Sequence, residues 1–128
     1  MFLHNKYHVF FSFCKCERLH TNKDFKKIFE NGNVFENESM KIIIYNRNDS
    51  YIVRRFGVIV KKKIGIAVDR NKIKRKLREI FRLNKHMLKP GIDLIFIPKF
   101  LSLYLKYLEL EKSVLTLIYE AGYFIRIW

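Results

Sequence analysis

Lys61 to Arg82 reads KKKIGIAVDRNKIKRKLREIFR, and these residue types fit one task above others, the grip of a phosphate chain. An Arg guanidinium is a rigid fork that donates to two phosphate oxygens at once, and Asn binds a phosphate or a base edge. Arg70-Asn71 at a helix start would stand beside backbone N–H donors, a natural anion site. The lysines before Gly65 add a loop able to wrap a phosphate chain. From Arg54 to Lys89, fourteen Lys/Arg face only Asp69 and Glu79, which accounts for twelve of the chain's net +14. Charge this focused repels itself without a polyanion, so nucleic acid is the expected partner. The competing reading is a solvated basic face with no specific ligand.

Other candidate groups carry less. Phe25 and Phe29 lie one helical turn apart, a spacing that serves either the core face of a helix or a pair of exposed rings that stack on unpaired bases. The histidines are His4, His8, His20 and His86, and no Cys/His set has zinc-finger spacing; Cys14-x-Cys16 is one residue short of the CxxC such sites use. No convergent acid/base set, Walker-type loop or nucleophile elbow is evident, so neither a catalytic residue nor a protein-bound metal is expected.

The elements that must position these groups follow from period and punctuation. Thr21 and Asp24 read as a helix start, Phe25, Ile28 and Phe29 keep helical spacing, and Gly32 marks a stop, which predicts a helix over 22–31. An extended piece follows at 33–36. Met40 to Tyr45 and Ile52 to Val60 read as strands, joined by the turn residues 46–50 into an expected antiparallel hairpin. In the basic helix, beginning near 66–69, Ile73, Leu77, Ile80, Phe81 and Leu88 share an arc of about 100° at roughly 100° per residue. Asn71, Lys74, Arg75, Arg78, Arg82 and Lys85 fill the adjoining arc. Pro90-Gly91 ends this region, and Ile92 to Pro98 is apolar enough for a strand buried on both faces. A closing helix runs from about 105 to Gly122. The order implies an α+β sandwich with helices against one sheet.

At 128 residues and 49% hydrophobic, the chain is long enough for one domain with a modest core. The expected layout is a leader over 1–18, a single domain over 19–122 and a tail over 123–128. Two cysteines are too few for a disulfide framework, which fits a reducing cytosol, and a cytoplasmic location is expected. No stretch approaches the eighteen or so apolar residues of a membrane helix, and Val9 to Phe13 lacks the flanks of a signal peptide.

The basic block resembles the signature of the bacterial ribonuclease P protein subunit. Lys62, Lys63, Gly65, Ala67, Val68, Arg70, Asn71, Lys72, Lys74, Arg75, Arg78, Glu79, Phe81 and Arg82 stand at the family's fixed positions. Asp24-Phe25-Lys26-Lys27-Ile28-Phe29 before Gly32, Arg55-Phe56-Gly57-Val58-Ile59-Val60 and Gly91-Ile92-Asp93-Leu94-Ile95-Phe96 extend the likeness over residues 17–120. The resemblance implies an α-β-β-β-α-β-α two-layer sandwich, related to ferredoxin-like and ribosomal-protein-like folds, with a left-handed crossover at the basic helix. It implies a non-catalytic protein subunit of a ribonucleoprotein that removes the 5′ leader from precursor tRNA. The RNA would be the catalyst, with Mg2+ held by that RNA and not by a protein site. The implied partners are the ribonuclease P catalytic RNA and the precursor tRNA leader, with no membrane and no obligate protein partner.

Carried onto this sequence, Lys62, Lys63, Arg70, Asn71, Lys72, Lys74, Arg75, Arg78 and Arg82 are the implied contacts to the catalytic RNA. Phe25 and Phe29 are implied residues of a leader cleft between the sheet and the first helix, with Tyr45, or else Ile43, the cleft aromatic's counterpart on the second strand. Three positions depart from the pattern. Lys72 keeps the charge of the usual Arg but not its fork. Ile66 removes a polar side chain from the helix entry, and Ile59 replaces a small polar residue of the cleft floor. Alternative classes are a structural RNA-binding protein, which would need no leader cleft, and a DNA-binding helix, which would want a helix-turn-helix or heptad pattern that is missing. A stand-alone nuclease would need the absent acid/base cluster.

Overall fold

The computed structural model describes residues 15–125. The first fourteen residues of the expected leader and residues 126–128 of the expected tail lie outside it. The main elements are α1 (Asn22–Asn31), β1 (Asn33–Glu36), β2 (Met40–Asn46), β3 (Arg55–Val58), α2 (Ala67–Asn84), β4 (Ile92–Pro98) and α3 (Tyr107–Glu120). Short 3-10 turns cover Lys15–Glu17, Lys62–Ile64, Lys85–Met87 and Phe100–Tyr104.

Local chemistry sets the ends of α1. Thr21 Oγ1 accepts from the Asp24 N–H at 3.1 Å, satisfying one of the orphan donors of the first turn. At the other end the Gly32 N–H donates to the Ile28 carbonyl at 2.7 Å. A Cβ at residue 32 would come within 2.6 Å of that carbonyl and 2.7 Å of Ile43 Cγ2, so close approach to β2, and not a left-handed backbone, requires the glycine.

The four strands form one sheet in the order β1-β2-β4-β3. β1 and β2 form a hairpin, β2 pairs antiparallel with β4, and β3 pairs parallel with β4, the two joined through α2. The antiparallel hairpin expected between the second and third strands is therefore not formed, because β4 inserts between them. All seven residues of β4 are buried, which suits the sheet centre and leaves the four-residue β3 at the edge. β3 is also shorter than the expected 52–60. The carbonyls of Tyr51 and Val53 accept from Arg47 Nη2, each at 2.5 Å, and that of Ile52 accepts from the Gly91 N–H at 3.0 Å. Backbone groups satisfied in this way are not available to a ladder.

Alternation along the strands divides the molecule. Ile73, Leu77, Ile80 and Phe81 of α2, with Leu110, Val114, Leu117 and Ile118 of α3, pack on Met40, Ile42, Ile44, Leu94 and Phe96. Phe56 stacks on Phe81 at 4.6 Å between ring centroids. Each such fully buried side chain contributes roughly 1.5–3 kcal/mol. This sheet with α2 and α3 is the α+β sandwich. On the opposite face α1 docks through Ile28 against Ile43 and Ile95, beside Leu19. Arg18 bridges to Phe56, and Glu17 pairs with Lys85 at 2.8 Å, so residues 17–19 are built into the domain. No helix among the described residues is long and apolar enough to cross a membrane.

Candidate nucleic-acid interface

The apolar stripe of α2 is spent on the core, and that fixes where its cations point. Asn71, Arg75 and Arg78 are exposed, with Arg82 partly so, while Arg70 and Lys74 are half-buried, Lys74 on the flank toward β3. Burial leaves Arg70 Nε without an acceptor among the described residues. Lys72 lies on the other flank, lining a small cavity with Lys76, Asp69 and Leu103. The Arg82 guanidinium is engaged by Glu79 one turn earlier, through Nε to Oε2 at 3.1 Å and a second contact from Nη2 to Oε1. The hydrogen bond from Arg82 holds the Glu79 carboxyl below the usual carboxylate range. Of the expected RNA contacts, then, Asn71, Lys74, Arg75 and Arg78 present outward or toward β3, and Arg82 carries an internal acid with it.

Lys62 and Lys63 form the 3-10 turn before α2 and are exposed, anchored by the buried Ile64. Gly65 permits the approach of Leu103, whose Cδ1 would lie 3.2 Å from a Cβ there. Ile66 occupies the N-cap with no side-chain hydrogen bond and is 67% exposed, so the helix entry offers backbone donors without a polar side chain. Ile59 is half-buried against the cluster beneath α1.

The cleft residues sit on the other sheet face. Phe25 is half-buried, and its ring lies where a Cβ on Gly57 would be 2.8 Å from Cζ. The glycine of β3 therefore makes room for the aromatic of α1. Phe29 is 47% exposed, so it is not a core residue. Ile43 and Tyr45 share this face; Ile43 is buried under α1, whereas Tyr45 is half-buried with Lys27 Nζ 5.6 Å from its ring centroid, a cation–π arrangement. Tyr45 is thus the accessible member of the pair.

The two sets of residues adjoin. A cavity of about 190 Å³ is lined by Lys74 and Arg78 of α2, Phe25 of α1, Gly57 and Val58 of β3, and Arg18. The cationic helix and the aromatic wall of the cleft meet there without a break.

Sequence reasoning missed the ion network that holds the cleft together. Asp93 is 1% exposed at the centre of the sheet. Its carboxylate accepts from Arg55 Nε at 2.9 Å and Nη2 at 2.8 Å, and from Arg47 Nη1 at 2.5 Å. Arg55 Nη1 also lies 3.5 Å from Asp24 of α1. The hydrogen bond to Asp93 pushes the Arg55 pKa up further and keeps the side chain charged. Asp24, Arg55 and Asp93 come from three separate motif segments, and each segment also carries a residue of the cleft or its floor: Phe25, Gly57 and Ile95. Lys41 was missed too, although period-2 alternation along β2 places it on the face of Ile43 and Tyr45. Among the described residues, no three His, Cys, Asp or Glu come together as a metal-holding group.

Comparison with known proteins shows the family and the fold. The family model described as Ribonuclease P matches residues 13–122. The ribonuclease P protein component of Finegoldia magna is 37% identical over 108 residues, covering 84% of this chain and 93% of the relative. That of Clostridium kluyveri is 40% identical over 108 residues, covering 82% and 94%. The structure of the Staphylococcus aureus RNase P protein superposes with a TM-score of 0.78 at 32% identity, covering 87% of this chain and all of that one (100%).

Proposed function

The chain belongs to the ribonuclease P protein family, and on that premise we propose how its surfaces divide the work. The family acts in the ribonucleoprotein that removes 5′ leaders from precursor tRNA, with the ribonuclease P RNA as partner. In our reading the outward face of α2, with the Lys62–Lys63 turn, docks on the catalytic RNA in the cytoplasm. Lysine and arginine neutralise backbone phosphates there, a largely electrostatic contact. The cleft between α1 and the open sheet face takes the single-stranded leader, with Phe25, Phe29 and Tyr45 offering faces to unpaired bases. Cleavage belongs to the RNA, where bound Mg2+ supplies charge stabilisation for the attacking and leaving oxygens. The protein's own share is to bind, and so to place the leader beside that RNA.

The observation that carries the reading is the 190 Å³ cavity where Lys74 and Arg78 of the basic helix meet Phe25 and Gly57 of the cleft. A strand leaving the catalytic RNA passes directly from a cationic to an aromatic surface. Phe25→Ala should weaken binding of precursor tRNA to the holoenzyme by roughly 1–3 kcal/mol, the cost of one lost stacking ring, and leave mature tRNA unaffected. Equal losses for both ligands would sink the cleft assignment.

A further inference from the structure

The turn between β1 and β2, the 3-10 turn Phe100–Tyr104 and α3 enclose an open groove of about 660 Å³, which shares no residue with the cleft or with the basic helix. Leu101 and Leu105 give it an apolar lining, Glu38 comes from the β1–β2 turn, and Glu109, Lys112 and Thr116 come from α3. Its sides are held in advance. Asn37 Nδ2 donates to Ser113 Oγ at 3.0 Å, and the Ser39 and Ser113 hydroxyls are hydrogen-bonded at 2.6 Å, so turn and helix keep a fixed separation. The groove also opens away from α2. Glu111, which accepts from Asn84 of α2 at 3.0 Å, lies roughly 150° around α3 from the groove positions at 3.6 residues per turn. α2 packs on β3 and α3 on β1, the two ends of the sheet.

We propose that this groove docks a basic, leucine-bearing helical segment of a protein partner. The distribution of acids selects that chemistry. Among the described residues, seven of the chain's twelve acids are ion-paired. Of the five that are not, Glu109, Glu111 and Glu120 lie on α3 and Glu38 on the turn beside it, with only Asp69 elsewhere. Against these four glutamates the same region carries only Lys106 and Lys112, so it is net −2 on a chain of net +14.

A phosphate chain entering the groove meets Glu38 and Glu109 with Lys112 alone to offset them, which disfavours RNA there. A cationic segment is repelled by the rest of the chain and attracted only here, so the carboxylates both choose the partner's charge and fix where it binds. Leu101, 41% exposed, and Leu105 call for an apolar side chain between those charges. From Glu109 to Thr116 the wall of the groove runs about 10 Å at 1.5 Å per residue, room for two turns of a partner helix. Leucines one turn apart would enter beside Leu101 and Leu105, and flanking lysines or arginines would reach Glu38 and Glu109. The partner would thus bind at the end of the sheet remote from β3 and α2, leaving the RNA-docking face free.

The test titrates the full chain with a labelled synthetic peptide of about 15 residues, long enough to hold a helix, with a leucine stripe flanked by lysines. Fluorescence anisotropy should show saturable binding that weakens with salt, and amide NMR shifts should centre on residues 38–39 and 109–116. The same peptide with glutamate for lysine, or with serine for leucine, should not bind. Glu38→Gln with Glu109→Gln should weaken binding about tenfold. Glutamine at 109 keeps an acceptor for the Lys106 N–H, so the start of α3 is preserved. Leu101→Ala should weaken binding by about the same factor. Neither variant should change affinity for the cognate catalytic RNA. No binding of the leucine–lysine peptide overturns the proposal, as does equal binding of the serine-substituted one or shifts centred elsewhere. Protection of Leu101 and Leu105 from hydroxyl radicals by the cognate RNA would give the groove to that RNA and overturn it too. A dimer of the free chain that Leu101→Ala dissolves, seen by sedimentation, would give the groove to a second copy instead.

Discussion

Replacing Asp93 by Ala tests the idea that one buried carboxylate organises the cleft. The substitution removes three hydrogen bonds, one from Arg47 and two from Arg55, at 2.5, 2.9 and 2.8 Å. The two cations left behind do not fare alike. The Arg55 side chain is 22% exposed and keeps Asp24 at 3.5 Å, so it re-solvates in part. The Arg47 side chain is 6% exposed and keeps Asp49 at 3.3 Å together with its carbonyl acceptors. Removing one partner of a buried ion pair costs about 3–5 kcal/mol, and Asp49 and those carbonyls place this case near 3. At roughly 4 °C per kcal/mol for a domain of this size, Tm should fall by about 12 °C. Asp93→Asn, which keeps an acceptor, should lose less. The assay is thermal unfolding followed by circular dichroism, paired with leader binding at a temperature where the variant stays folded. A ΔΔG below about 1 kcal/mol would refute the claim that Arg47 and Arg55 depend on this carboxylate. Normal leader affinity in the folded variant would refute its role in holding α1 over the sheet.

Two further outcomes follow from the same geometry. In Gly57→Ala the new Cβ would meet the Phe25 ring at 2.8 Å and Leu19 Cδ1 at 3.3 Å, so the ring must swing away; leader affinity should drop about as far as in Phe25→Ala with the affinity for catalytic RNA unchanged, measured by binding each ligand separately. Glu79, held low by Arg82, has a folded pKa below its unfolded one, so its stabilising contribution is present above the usual glutamate value of 4.5 and is lost as pH falls through the lower folded value; a carboxyl NMR titration should place its midpoint under 4.5, and Arg82→Ala should return it there.

What could be read from the sequence was what depends on local period and composition. Ile73, Leu77, Ile80 and Phe81 are buried where a helical arc predicted them, and β4 is buried along its whole length as an unbroken apolar run implies. Strand partners were not legible in the same way. β2 and β3 are neighbours in sequence, but pairing is decided by which strand can be buried on both faces, and only β4 qualifies. The turn residues between them looked like hairpin chemistry, yet Arg47 reaches across to the carbonyls of Tyr51 and Val53 and holds an irregular loop. For the aromatic pair, spacing left both core and exposed readings open; packing separates them, with Phe25 wedged over Gly57 and Phe29 in solvent. The convergence of Asp24, Arg55 and Asp93 was invisible because residues so distant in sequence are brought together only by the parallel β3–β4 pairing and the docking of α1.

On the reading proposed above, this protein serves a catalytic RNA and does not itself cut. The direct measurement is cleavage of precursor tRNA at low magnesium by the cognate ribonuclease P RNA, with and without the protein, beside a reaction holding protein alone. Stimulated removal of the 5′ leader, with no product from the protein alone, is the predicted result. Cutting by the protein alone, or no stimulation of its own RNA despite tight binding, would contradict it.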